Sequence, residues 1–295
     1  MFRDNLLQGK RILVTGGGTG LGKVMTGEYL RLGAEVYICG RRLSVLDETA
    51  AELMEKHGGR VNTRALDIRN AQAVDEVIDG IFAEGPLDGL VNNAAGNFVS
   101  PTKDLSPRGF DAIASIVFHG TFYVTHAVGR RWIERGHRGS VISITTTWVR
   151  NGSAFVVPSA MSKSGIDAMT KSLATEWGRY GIRLNCIAPG PFPTKGAWER
   201  LNPGSKAAEK QASMEQSNPW GRYGEMPELA NLAIFLMADG CDYLTGETIA
   251  IDGAQALATG GNFYSQLIDV TDDEWDEMRE EIRKANERDK AARNG

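Results

Sequence analysis

The apolar positions of the chain fall into two alternating patterns. Short runs rich in β-branched residues recur at 11–15 (RILVT), 35–39 (EVYIC), 61–66 (VNTRAL), 88–92 (DGLVN), 140–145 (SVISIT), 182–188 (IRLNCIA) and 247–251 (ETIAI). They are too short and too β-branched for helices and predict strands. Amphipathic, helix-period patterns lie between them, near 20–32, 43–57, 71–84, 106–135, 158–180 and 227–239. Strand-helix alternation demands crossover connections, and these imply an α/β fold with a doubly wound parallel sheet covered by helices on both faces. No linker or repeat divides the chain, so one domain over 1–295 is expected, with its core at 8–255.

Two segments break this rhythm. Residues 191–224 are long, punctuated by Pro and Gly, and only weakly periodic, the pattern of a functional loop or lid. The tail 271–293 reads as a charged helix with acids first and bases later, matching the helix dipole, and Thr271 can cap it. Trp275, Met278 and Ile282 share one face of that helix. They predict a solvated helix docked by a narrow stripe, with an oligomer contact as the alternative.

Composition narrows the function. The 295 residues are 42% hydrophobic and 24% charged, enough for a large single core. A net charge of −4 argues against nucleic acid as a partner. No apolar run approaches the ~18–20 residues that a membrane span needs. The start, MFRDNLLQGKRILVTGGG, runs directly into the first strand, and the end, AARNG, is not a targeting address, so a cytoplasmic protein is expected. Cys39 and Cys186 sit in apolar strand runs and read as reduced core residues. The four histidines have no metal spacing, and no metal site is expected.

The candidate chemistry begins where the first strand ends, in TGGGTGLG (Thr15–Gly22). Gly16, Gly17, Gly18, Thr19, Gly20 and Leu21 form a turn whose glycines let the backbone approach a pyrophosphate at a helix N-terminus. The second strand ends at Gly40 and is followed by Arg41 and Arg42. An acidic residue there would hold the ribose diol of NAD; two arginines favour the 2′-phosphate of NADP. Asp67, after the third strand, is a candidate acceptor for the adenine amino group. The NNAAG stretch, with Asn93 and Gly96, is small enough to pass close to adenosine. Pro189 and Gly190 end the sixth strand, with Phe192 and Thr194 following near the place of a nicotinamide carboxamide.

As a set, TGGGTGLG, NNAAG, Lys163 and the PG at 189–190 resemble the short-chain dehydrogenase/reductase family over residues 8–255. The resemblance implies a single Rossmann-type domain, a nicotinamide cofactor and a homotetramer. It also exposes departures. Of the family's usual Asn, Ser, Tyr and Lys, only Lys163 is intact. The serine falls on Thr146, the tyrosine on Ser159 and the asparagine on Val117. A phenol can be tuned to act as an acid, whereas an alkanol is far weaker. Two readings follow: a dinucleotide-binding relic without catalysis, or a reaction whose intermediate needs hydrogen bonds more than an immediate acid.

Longer stretches favour the second. NNAAGNF, SPTKDLSP, GSAFVVPSA, KSLATEWGRYGIRLN, PGPFPTKGAWERL and ELANLAIFL are similar to the 2,4-dienoyl-CoA reductases, particularly the mitochondrial type, which also carry serine at the tyrosine position. That resemblance implies NADPH as cofactor and an acyl-CoA substrate. Asn97 matches a substrate-side asparagine, and Trp148 stands where a second tyrosine is expected. Its indole N–H can donate to an enolate but cannot supply a proton, and the alternative is a purely aromatic pocket wall. The resemblance assigns Ser159 to substrate or ribose, Lys163 to the ribose, and Arg69, Phe98, Ser106 and Arg200 to CoA or the acyl chain. A different short-chain reductase of enoyl or carbonyl thioesters is the other enzyme reading.

Overall fold

The structure is a computed structural model and describes residues 1–194, 201, 215, 218–259, 264–267 and 269–294. Seven strands form one sheet: β1 (Arg11–Thr15), β2 (Glu35–Gly40), β3 (Val61–Ala65), β4 (Gly89–Asn92), β5 (Gly139–Ile144), β6 (Ile182–Pro189) and β7 (Thr248–Ile251). Every pairing is parallel and the spatial order is β3-β2-β1-β4-β5-β6-β7. The order reverses between β1 and β4, and in open α/β sheets a crevice forms at such a reversal, at the strands' carboxyl ends.

The helices α1 (Gly20–Arg31), α2 (Leu43–His57), α3 (Ala71–Ala83), α4 (Pro107–Ala114), α5 (Thr121–Arg135), α6 (Trp148–Asn151), α7 (Val157–Trp177), α8 (Met226–Met237) and α9 (Asp272–Asn294) complete the framework. Alternation along β1 explains the two layers. Ile12 and Val14 pack with Met25 and Tyr29 of α1 and with Leu229, Ile234 and Met237 of α8. Leu13 faces the other way, onto Val74 and Ile78 of α3 and Val124, Val128 and Trp132 of α5. Cys39 and Cys186 are fully buried.

The helix expected over 106–135 is not regular. A π-helical turn, Ser115–Gly120, joins α4 to α5. By length and composition the run Pro107–Arg135 could cross a membrane, which corrects the expectation that no run is long enough. Here it packs against α3, α7 and the sheet. The tail helix α9 docks by Trp275, Met278 and Ile282 into a separate small core with Val99, Trp148, Val156, Ala160 and Leu267.

Candidate active site

The glycine-rich turn connects β1 to α1 and is held from several sides. The Thr15 hydroxyl accepts from the backbone N–H of Asn93 and of Ala94, both at 3.0 Å. The Asn93 side chain donates to the carbonyls of Thr15 and Gly16 at 3.0 and 3.1 Å. From α2, Thr49 donates to the Gly18 carbonyl at 2.8 Å. Gly17 and Gly22 leave no room for a side chain. A Cβ on Gly22 would lie 2.4 Å from the Gly16 carbonyl oxygen, and one on Gly17 would lie 2.5 Å from Ile38. Gly16 has φ +65°, which glycine adopts without strain. This bare, pre-shaped backbone at a helix N-terminus fits the pyrophosphate of a dinucleotide. Thr194 comes within 3.6 Å of the Cβ position on Gly20, so the segment after β6 reaches the turn.

Around it lie the other residues expected on the cofactor side. Arg41 is exposed just past β2. Its positive charge and the Arg69 guanidinium beside Asp67 both hold that carboxyl below the usual carboxylate range, the Arg69 hydrogen bond being the larger cause. Arg69 bonds Asp67 through Nε at 2.9 Å, so the side chain expected at the CoA rim is engaged with the carboxylate expected at adenine. Gly190 donates to Ile251 at 3.0 Å and abuts Asp252, and Phe192 is buried against Gly224. Gly96 is half-buried, with room for a Cβ 3.5 Å from Ile116.

Of the residues expected on the substrate side, Asn97 follows the NNAAG stretch. Its Oδ1 accepts from the backbone N–H of Phe98 at 2.9 Å. Since a backbone N–H can only donate, the amide must place its oxygen there, and the NH₂ is left to donate elsewhere. Phe98 bridges the small core under α9 and the cluster of Ile113, Val117, Ile166 and Cys186. Val117 lies in the π-helical turn and is fully buried, so the family's asparagine position supplies no polar group. Ser106 caps α4, accepting from Gly109 at 3.1 Å, a role that the sequence reading missed although a serine before proline signals it. Arg200 lies outside the described residues.

Trp148 opens α6 and is buried, at 7% exposure, among Val99, Val156 and Trp275. Ser159 is buried in the first turn of α7. Lys163, one turn further on, is buried and donates to the Ile144 carbonyl. Burial lowers its pKa to about 8. Thr146 is buried between β5 and α6. The clamp by Asn93 and the Ile144 acceptor were not foreseen from the sequence, because both are backbone partners set by the strand order.

A Rossmann-type sheet, a glycine-rich strand-to-helix turn and a buried helix lysine mark a nicotinamide-dependent oxidoreductase. The chain matches the enoyl-(acyl carrier protein) reductase family over residues 16–254 and belongs to the short-chain dehydrogenase/reductases. It is 44% identical over 289 residues to a probable 2,4-dienoyl-CoA reductase 3, (3E)-enoyl-CoA-producing, of Caenorhabditis elegans, covering 96% of this chain and 92% of that one. A probable 2,4-dienoyl-CoA reductase, (2E)-enoyl-CoA-producing, of Bacillus subtilis is 39% identical over 253 residues, covering 85% and 98%. Among solved structures, a short chain dehydrogenase from Bacillus anthracis superposes with TM-score 0.77 at 38% identity, covering 86% and 99%. A gluconate 5-dehydrogenase from Burkholderia cenocepacia, in complex with NADP and tartrate, has TM-score 0.79 at 30% identity, covering 86% and 98%.

Proposed function

We propose that this chain is an NADPH-dependent reductase of 2,4-dienoyl-CoA thioesters. The observation that carries the proposal is a pair: Ser159 in the place of an acidic tyrosine, and Asn97 with its amide oxygen tied to Phe98 so that its NH₂ can donate. A carbonyl reductase must protonate a developing alkoxide at once. A conjugated thioester instead spreads the charge to its carbonyl oxygen, and that charge needs a donor. When bound, NADPH would supply a hydride to the δ carbon. Asn97 donates to the thioester oxygen of the resulting dienolate, and water provides the proton. Lys163 holds the ribose and favours negative charge nearby. Arg41 would hold the 2′-phosphate. The relatives named as dienoyl-CoA reductases support the substrate class.

Trp148 serves as the aromatic wall of the acyl pocket, a role supported by its packing with Val99 and Trp275. A homotetramer belongs to the same proposal. Its support is an exposed face carrying Phe118, Phe122 and Met161, apolar residues that a second copy would cover. The proposed compartment is the cytoplasm. Relatives from zebrafish and mouse carry peroxisomal names, so cell fractionation checks it.

The test is NADPH oxidation with a trans-2,trans-4-dienoyl-CoA, a 2-enoyl-CoA and a 3-ketoacyl-CoA. The dienoyl thioester is expected to turn over fastest. Faster turnover of either other thioester replaces the substrate, and intact NADPH binding with no turnover of any of them identifies a binding subunit.

A further inference from the structure

The family match stops at residue 254, yet α9 lies well beyond it and packs on the substrate side of the molecule. Its docking is specific. Trp275, Met278 and Ile282 share one small core with Val99, Trp148, Val156 and Ala160. Each of the three proposed substrate-facing residues belongs to that core or sits next to it: Asn97 is two residues before Val99, Trp148 is a member, and Ser159 precedes Ala160. Two ion pairs pin the same helix to the turn after Asn97, Lys103 to Asp272 at 3.0 Å and Arg279 to Asp104 at 3.3 Å. Both are solvent-facing and contribute little by themselves, so the apolar contact dominates.

The contact that links α9 to the catalytic helix is Phe155. It has φ +64°, left-handed backbone that a bulky side chain rarely adopts and that persists only where its surroundings over-determine it. Two groups hold it. Its carbonyl accepts from the Ser100 N–H at 2.9 Å. Its ring packs on Trp275, with centroids 5.2 Å apart and planes tilted by 39°. Phe155 ends the turn that leads into α7, so its backbone angles set where α7 begins and therefore where Ser159 lies, whereas Lys163, a turn further on, is anchored separately on the Ile144 carbonyl.

We propose that α9 is a positioning element for the acyl-thioester wall, with Trp275 acting through Phe155 to hold Asn97, Trp148 and Ser159 in one arrangement. This rests on the reading of those three as the substrate-facing group. Without Trp275, the Phe155 turn is free to relax to ordinary backbone, and the 97–105 and 147–160 segments loosen together. The cofactor turn belongs to a different core, with α1 and α8, and is not affected.

Full-length Trp275→Ala and Trp275→Phe proteins test this by hydrogen–deuterium exchange, NADPH titration and steady-state kinetics. In Trp275→Ala, exchange is expected to rise in 97–105 and 147–160 and to stay unchanged in 11–22. The kcat/KM for dienoyl-CoA is expected to fall about tenfold or more while the NADPH Kd stays within about twofold. Trp275→Phe, which keeps a ring against Phe155, is expected to recover to within about threefold. Should Trp275→Ala not fold, Phe155→Leu removes the ring pair while leaving α9 intact and is read in the same way. Unchanged exchange overturns the proposal, and so does looser exchange with unchanged kcat/KM. If the wild-type protein does not reduce dienoyl-CoA, the substrate assignment fails by itself, and the exchange pattern still decides the positioning role.

Discussion

The ammonium of Lys163 donates to the main-chain carbonyl of Ile144, at the end of β5, and burial lowers its pKa to about 8. Between about 8 and the ordinary lysine value of 10.5 the unfolded chain keeps this proton while the folded chain gives it up. Stability from this group therefore rises with pH across that window and is lowest below it. Cofactor affinity runs in the opposite sense, since the charged lysine is the form that attracts an anionic ligand. NADPH binding, followed by fluorescence, is expected to weaken as pH rises through about 8. Lys163→Met is expected to bind more weakly and to flatten that profile. An unflattened profile would assign the titration to another group.

Asn97→Asp isolates the donor. The carboxylate keeps the acceptor for the Phe98 N–H but has no NH₂ and places a negative charge where the dienolate oxygen forms. Loss of one such donor costs ~2.7–4 kcal/mol, so kcat is expected to fall on the order of 10²–10³-fold. Asn97→Ala is expected to fall comparably. A rate near wild type in Asn97→Asp removes the amide from the mechanism.

Trp148 separates wall from donor by substitution. Trp148→Phe keeps an aromatic surface without an N–H and is expected to retain turnover within about threefold, whereas Trp148→Ala opens a cavity in the core shared with α9 and costs far more. A large loss in the phenylalanine variant would instead make the indole N–H an enolate donor.

The product reports where the proton arrives. With serine in place of the phenol, protonation by water at the α carbon of the dienolate is expected, giving a 3-enoyl-CoA. NMR of the product formed in D₂O is expected to show deuterium at C2. Deuterium at C4, with the double bond at C2, would point to an acid aimed at the γ carbon.

Arg41→Ala tests cofactor choice. Loss of a charge-assisted contact worth ~1.5–3 kcal/mol is expected to raise the NADPH Kd about 10- to 100-fold and to leave NADH nearly unchanged. Equal effects on both cofactors would remove Arg41 from the 2′-phosphate.

The sheet was readable because parallel strands buried on both faces show as unbroken β-branched runs, and all seven observed strands begin and end within one residue of the expected ranges. The helix over 106–135 was readable as apolar periodicity but not as the π-helical turn at 115–120, which adds a residue to one turn without changing the composition. Of the candidate site, the glycine turn at a strand-to-helix junction and the placing of Lys163 on a helix were legible from spacing. The Arg69–Asp67 pair was not, because a side chain's nearest partner depends on rotamer and neighbouring loops. Phe155 was invisible in the same way: nothing in FVVPSAMSKSG marks a phenylalanine with φ +64°.

The cross-tie from Asn93 to the Thr15 and Gly16 carbonyls has a kinetic consequence. The glycine-rich turn is braced by bonds within the protein alone. A dinucleotide bound at this turn is therefore expected to need little ordering of the loop. Its association rate is expected to fall with rising ionic strength and with rising solvent viscosity.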